Sequence, residues 1–226
     1  MRPALFTLLT FVAILLLPYK LNAQEEDFNL WAGLDLETHL NKRFDVVIGL
    51  SNRWNENVSQ RDVTLAEVSL EYGKKWFSSG IGYRFENKND LETDYMLGHR
   101  LFAFAEVETK AGKFSLKLRN KFQAQYFAVN SSEDGRIPSS HDRTRIKIDY
   151  NIRKLPLKPY LGYEIFSRVN RYESSLIDKN RIATGLSYKF SSKNKLDISF
   201  YYDHEVAVVR PDTDYILSAS WTLELN

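Results

Sequence analysis

From Phe28 onward, apolar and polar residues alternate one for one in segment after segment. The stretch Lys113 to Tyr126 is the cleanest. Phe114, Leu116, Leu118, Phe122, Ala124 and Tyr126 fall on one parity, and Lys113, Ser115, Lys117, Arg119, Lys121, Gln123 and Gln125 on the other. Successive side chains of a β-strand point to opposite faces, so this spacing predicts a strand with one apolar and one polar side. It is longer than an average strand of a water-soluble sheet and about the length that crosses a bilayer at a tilt. Asn120 breaks the pattern, because on this register it belongs to the apolar face.

About eleven such segments follow one another. They begin near Phe28, Phe44, Ala66, Phe77, Tyr95, Lys113, Asp142, Tyr160, Arg181, Leu196 and Tyr215. Turns at Leu40-Asn41-Lys42, Gly73-Lys74-Lys75, Ala111-Gly112, Pro156 to Pro159 and Ser191 to Lys195 alternate with longer polar loops over 55–60, 87–93, 128–140 and 169–179 and around Pro211. Short turns alternating with long loops suit an all-β, antiparallel up-and-down transmembrane β-barrel of about 10–12 strands. Bacterial barrels of this kind close with an even number, so ten or twelve strands are expected in the wall. Either one segment is then two strands, or the first is not a full spanning strand.

Composition sharpens this picture. Leu5 to Leu17 is an apolar run behind Arg2, broken by Pro18 and followed by Leu21-Asn22-Ala23, which reads as a signal peptide over residues 1–23. Residues 24–226 then form a single domain. No later apolar run could span a membrane as a helix. The chain has no cysteine, so disulfides and thiolate metal sites are excluded. With 31 basic and 29 acidic residues the formal net charge is +2, which gives no global field for nucleic acid. Thirteen Tyr and 14 Phe suit the aromatic girdles of a membrane barrel. The expected location is the outer membrane. The expected partners are its lipid bilayer, the insertion machinery during assembly and small anionic solutes.

Placing the polar face inside puts a charge ladder in the lumen: Arg84, Arg100, Lys117, Arg119, Lys121, Arg143, Arg145, Lys147 and Arg181, with Glu67, Glu106 and Glu164. Arg43, Arg53, Glu71, Glu86, Arg168 and Asp197 join them on the same parity. One reading is a structural network of paired charges filling a narrow barrel. The other is a selective path, because Arg119, Lys121, Arg143, Arg145 and Lys147 fall on two consecutive strands with few acids beside them.

No catalytic motif is present, and no cofactor is expected. His39, His99, His141 and His204 show no metal-ligand spacing. A lipid hydrolase would need a Ser/His pair, for which His99 with Ser69 or Ser78, and His141 with Ser139 or Ser140, are the candidates. A soluble secreted binding barrel is the other alternative. Gly80, Gly82, Gly162 and Gly185 are expected as strand positions beneath bulky neighbours.

Trp31 before the first hairpin, Phe114 to Phe122 with Arg119-Asn120-Lys121, the strand Pro159-Tyr160-Leu161-Gly162-Tyr163-Glu164 and Arg181-Ile182-Ala183-Thr184-Gly185-Leu186 carry a family likeness. On these the chain resembles the exported proteins of Gram-negative bacteria grouped as domain of unknown function number 2490. The resemblance implies an outer-membrane barrel and supplies no activity.

Overall fold

The computed structural model describes residues 26–90, 94–127, 138–169, 177–206 and 208–225. The expected signal peptide and most of the expected loop over 128–140 lie outside these residues. The strands are β1 (Glu26–His39), β2 (Phe44–Asn55), β3 (Gln60–Lys74), β4 (Phe77–Asp90), β5 (Asp94–Ala111) and β6 (Phe114–Phe127), then β7 (Ser139–Tyr150), β8 (Leu157–Arg168), β9 (Ile177–Lys189), β10 (Asn194–Glu205) and β11 (Thr213–Glu224). Each pairs with its sequence neighbours, and β1 pairs with β11 to close a barrel.

Eleven strands therefore stand in the wall, which corrects the expectation of an even number. The first segment is a full strand of 14 residues. A meander with an odd number of strands brings its first and last strands together running the same way. The closure is accordingly parallel, from Glu26↔Thr213 to Glu37↔Glu224, while the sequential pairings are antiparallel. Asn29 donates to Asp214 at 3.0 Å and Ser220 to Asp35 at 2.8 Å across this seam.

One end of the barrel, the turn end, carries the connections 40–43, 75–76, 112–113, 151–156 and 190–193; the loop end carries the others and Glu26. The alternation of short and long connections is pronounced only from β6 onward. Local chemistry sets the tight turns. The Asn41 side chain accepts from the backbone N–H groups of Arg43 and Phe44. Gly112 adopts φ 60°, which a two-residue hairpin needs at its first position and only glycine reaches without strain. At the loop end Glu56, Asn57 and Val58 all have positive φ, and the Asp27 carboxylate holds this turn by accepting from the N–H groups of Glu56 and Asn57.

The barrel is inverted relative to a water-soluble one. Val63, Leu65, Phe102, Phe166, Ala183 and Ile216 are the buried apolar side chains among the described residues, whereas fourteen polar or charged ones are buried. Ile48, Leu50, Ile81, Leu101, Leu116, Leu118, Ile146, Leu161 and Ile182 point outward and are exposed. Outward aromatic pairs Phe44–Tyr72, Phe114–Tyr150 and Tyr188–Phe190 border this band at the turn end, and Tyr202–Tyr215 lies toward the loop end.

Phe102 and Phe104 are large apolar residues on the inward, otherwise polar parity of β5. They pair with Gly82 and Gly80 and lay their rings over them, and Tyr160 does the same to Gly185. A Cβ at Gly80 would come within 2.6 Å of Phe104, and one at Gly185 within 2.5 Å of Tyr160. Gly162 is different: no ring covers it, and a Cβ there meets nothing closer than 3.4 Å.

Candidate functional site

The inward residues of β6 and β7 pair like charge with like. The register sets Lys117 against Lys147, Arg119 against Arg145 and Lys121 against Arg143. Like charges directly opposite one another are destabilising in a sheet, so compensation has to come from the flanking strands. It comes from Glu106 on β5 and Glu164 on β8. Glu164 accepts from Arg143 at 2.9 Å and from Arg119 at 3.3 Å; Glu106 accepts from Arg145 at 3.2 Å and lies 3.7 Å from Lys117. Lys147 pairs with Asp149 at 3.0 Å. The two consecutive strands are thus braced by acids from both neighbours, which corrects the expectation of few acids beside them. The bracing was hidden because it crosses strands.

The other ladder residues also face the interior, each with its own carboxylate. Arg84 donates to Glu67 at 2.6 Å, and Arg100 lies 2.9 Å from Glu86 and bonds to Gln125. Arg181 makes a two-pronged contact with Asp203 at 2.5 and 2.6 Å, which Lys179 joins at 3.0 Å. Asp203 is 1% exposed, and an ion so enclosed is tolerable only when fully paired. Arg181 lies directly opposite it on the neighbouring strand, 22 residues away in sequence. Arg43 is the misplaced residue: it lies in the turn over 40–43, exposed, outside the barrel.

Among the described residues, two of the inward cations at mid-barrel have no carboxylate. Lys121 is 8% exposed, and its Nζ lies 3.6 Å from the centre of the Phe102 ring. Arg53 stacks on Trp31 at 3.9 Å. Among the described residues neither is in an ion pair. Arg53, Trp31, Glu67, Arg84 and Tyr201 line both interior cavities: a larger one of about 870 Å³ at the loop end and a smaller one of about 250 Å³ toward the turn end. These five side chains form the waist between them. Arg181 packs against the same layer, 5.2 Å from Trp31 and 4.9 Å from Tyr201. Cations over ring faces gain from the ring quadrupole, and the rings keep the guanidinium planes in place.

The larger cavity has carboxylates at its loop-end mouth: Asp27, Asp62, Asp178, Asp212 and Asp214. Asp178 faces Arg168 at 3.0 Å and His141 at 3.2 Å. The unpaired positive charge is therefore deep, at the level of Lys121 and Arg53.

The serines proposed for His99 lie on the other side of the wall from it. His99 faces outward and bonds to the Tyr83 hydroxyl at 2.6 Å, whereas Ser69 faces inward and donates to Glu71. His141 lies inside against Asp178. At the turn-end rim, His39 contacts Asp45 at 2.6 Å and Glu224 at 2.9 Å, and Glu37, His39 and Asp45 bring potential ligand atoms within 4.8 Å of one another. Their spacing along the sequence gave no sign of this, because two paired strands supply it. Asn120 stays on the outward face without a register shift. It donates to both carboxylate oxygens of Asp142 at 2.9 Å and to Thr144 at 3.1 Å.

No curated protein matches the chain. Among solved structures, the anion-selective porin from Comamonas acidovorans is similar at 9% sequence identity and a TM-score of 0.40, over 82% of this chain and 54% of that one. This chain spans about half that porin's length, and at that score neither strand number nor selectivity carries over. A family model described as "Protein of unknown function (DUF2490)" matches residues 28–222, from β1 through β11, and the chain belongs to that family.

Proposed function

We propose that the protein is a small, non-catalytic outer-membrane β-barrel whose interior is a narrow path for small anionic solutes. The single observation that carries the path is the wall of like-charged pairs on β6 and β7, whose Lys121 has no counter-ion among the described residues. A low-dielectric wall focuses the field of such a ladder on the space in front of it.

The membrane setting is supported by the inverted distribution of residues. Exposed Ile, Leu and Val between aromatic borders would be an aggregation hazard in water and are the natural lining against lipid. Strands of 12 to 18 residues are long enough to cross obliquely. The partners proposed are the lipid bilayer and the machinery that inserts such barrels; the leader over 1–23 is the proposed route of export.

A purely structural barrel is the second reading, favoured by the waist where Trp31, Arg53 and Tyr201 crowd together. Both readings share one test of location. The protein is expected in the outer-membrane fraction, migrating faster on gels unheated than boiled. Recovery from the soluble periplasm would overturn both.

A further inference from the structure

We infer that the interior holds a built oxyanion site at the level of Lys121 and Arg53, shaped for a phosphate group. The inference rests on the reading of the lumen as an anion path and adds to it a specific ligand class. A path needs only a diffuse positive field. A site needs donors that the protein leaves unused.

Such donors are present. Lys121 is nine-tenths buried, yet it makes no hydrogen bond and no ion pair among the described residues. A buried ammonium left bare loses hydration that nothing in the wall returns. Arg53 is likewise without an acceptor and is held flat by Trp31. Both residues line the same cavity of about 870 Å³.

The number of donors argues for the class. One carboxylate offers two oxygens and is saturated by a single guanidinium fork. An ammonium with three N–H groups and a free guanidinium beside it call for an anion with three or more terminal oxygens and about two negative charges. Phosphate satisfies this, either as the inorganic ion or as the monoester of a small organic molecule, for which the cavity has room.

The test is calorimetric titration of the full-length protein, refolded in detergent micelles, with inorganic phosphate and, in a second arm, glycerol phosphate. Saturable binding is expected with at least one of them. Tighter binding of glycerol phosphate would identify an organic phosphate as the ligand, and equal binding the inorganic ion. Lys121→Met keeps the stem over Phe102 and removes the charge; Arg53→Met does the same over Trp31. Each is expected to weaken binding about tenfold or more, as loss of a charge-assisted bond does. Lys110→Met, at an exposed site on the turn-end rim, is expected to bind as the parent does. Absence of saturable binding to either phosphate overturns the site, as does unchanged affinity in both folded variants. A protein that conducts chloride but binds no phosphate retains the path and loses the site.

Discussion

Arg119 and Arg145 sit directly opposite each other on adjacent strands, and each reaches past the other to a carboxylate on the far side. Arg119 on β6 bonds to Glu164 on β8, while Arg145 on β7 bonds to Glu106 on β5. The crossing lets two guanidiniums share one patch of wall without shared acceptors. It also ties four strands together from inside the barrel, where buried polar side chains outnumber apolar ones among the described residues.

Glu164 is the more enclosed of the two acids, 3% exposed and in contact with Arg119 and Arg143. Glu164→Gln leaves both guanidiniums without their counter-charge. The expected cost is about 3–5 kcal/mol, the range for breaking one side of a buried ion pair. Equilibrium unfolding of the refolded barrel in urea measures it. An unchanged midpoint would show that Glu164 does not brace the ladder.

The ring-over-glycine contacts give a cleaner energetic test. Gly80→Ala puts a methyl group 2.6 Å from the Phe104 ring, and the expected penalty is about 1–3 kcal/mol. In a Phe104→Ala background the same change meets chiefly the Leu70 carbonyl at 3.1 Å, so much of the penalty is relieved. Additive effects in this double-mutant cycle would mean that ring and glycine are not in contact.

Asn120 and Asp142 place a polar cluster on the outward face, above Leu118 and Leu116 on the same strand. In a bilayer such a cluster belongs at headgroup depth, because a carboxylate on the lipid face is costly within the hydrocarbon. The chain has no cysteine, so single spin labels can be attached without background. A label at Asn120→Cys is expected at the interface, and one at Leu116→Cys well inside the oxygen-rich hydrocarbon. Equal depths would contradict this placement.

The parallel closure has a topological consequence. With eleven strands, Glu26 lies at the loop end with Asn57, whereas Lys42 lies at the turn end. On intact cells an impermeant maleimide is expected to modify Glu26→Cys and Asn57→Cys alike and to spare Lys42→Cys. A Glu26→Cys protein that behaves like Lys42→Cys would require an even-stranded wall.

Much of the fold was legible because the side-chain period of a strand is two. Parity alone sorted Lys117, Arg119 and Lys121 inward and Leu116, Leu118 and Phe122 outward, and the structure keeps both sets. Strand number was misjudged because evenness is a rule about closure, and closure depends on how the two edge strands meet, which no local pattern records. The site was half legible for the same reason. Parity places Arg181 and Asp203 on inner faces but does not say that they touch. Partnerships that skip a strand, such as Arg145 with Glu106, need the register of three strands at once. Phe102, apolar on an inward parity, is accounted for by Gly82, its neighbour across the ladder.

Ion selectivity in planar bilayers tests the central claim most directly. Purified protein under a tenfold potassium chloride gradient is expected to give small conductance steps with a reversal potential of the anion-selective sign. Lys121→Glu, which reverses a buried charge that has no ion pair among the described residues, is expected to move that potential toward the cation side. An absence of conductance steps, or a cation-selective reversal potential in the parent protein, would contradict the account.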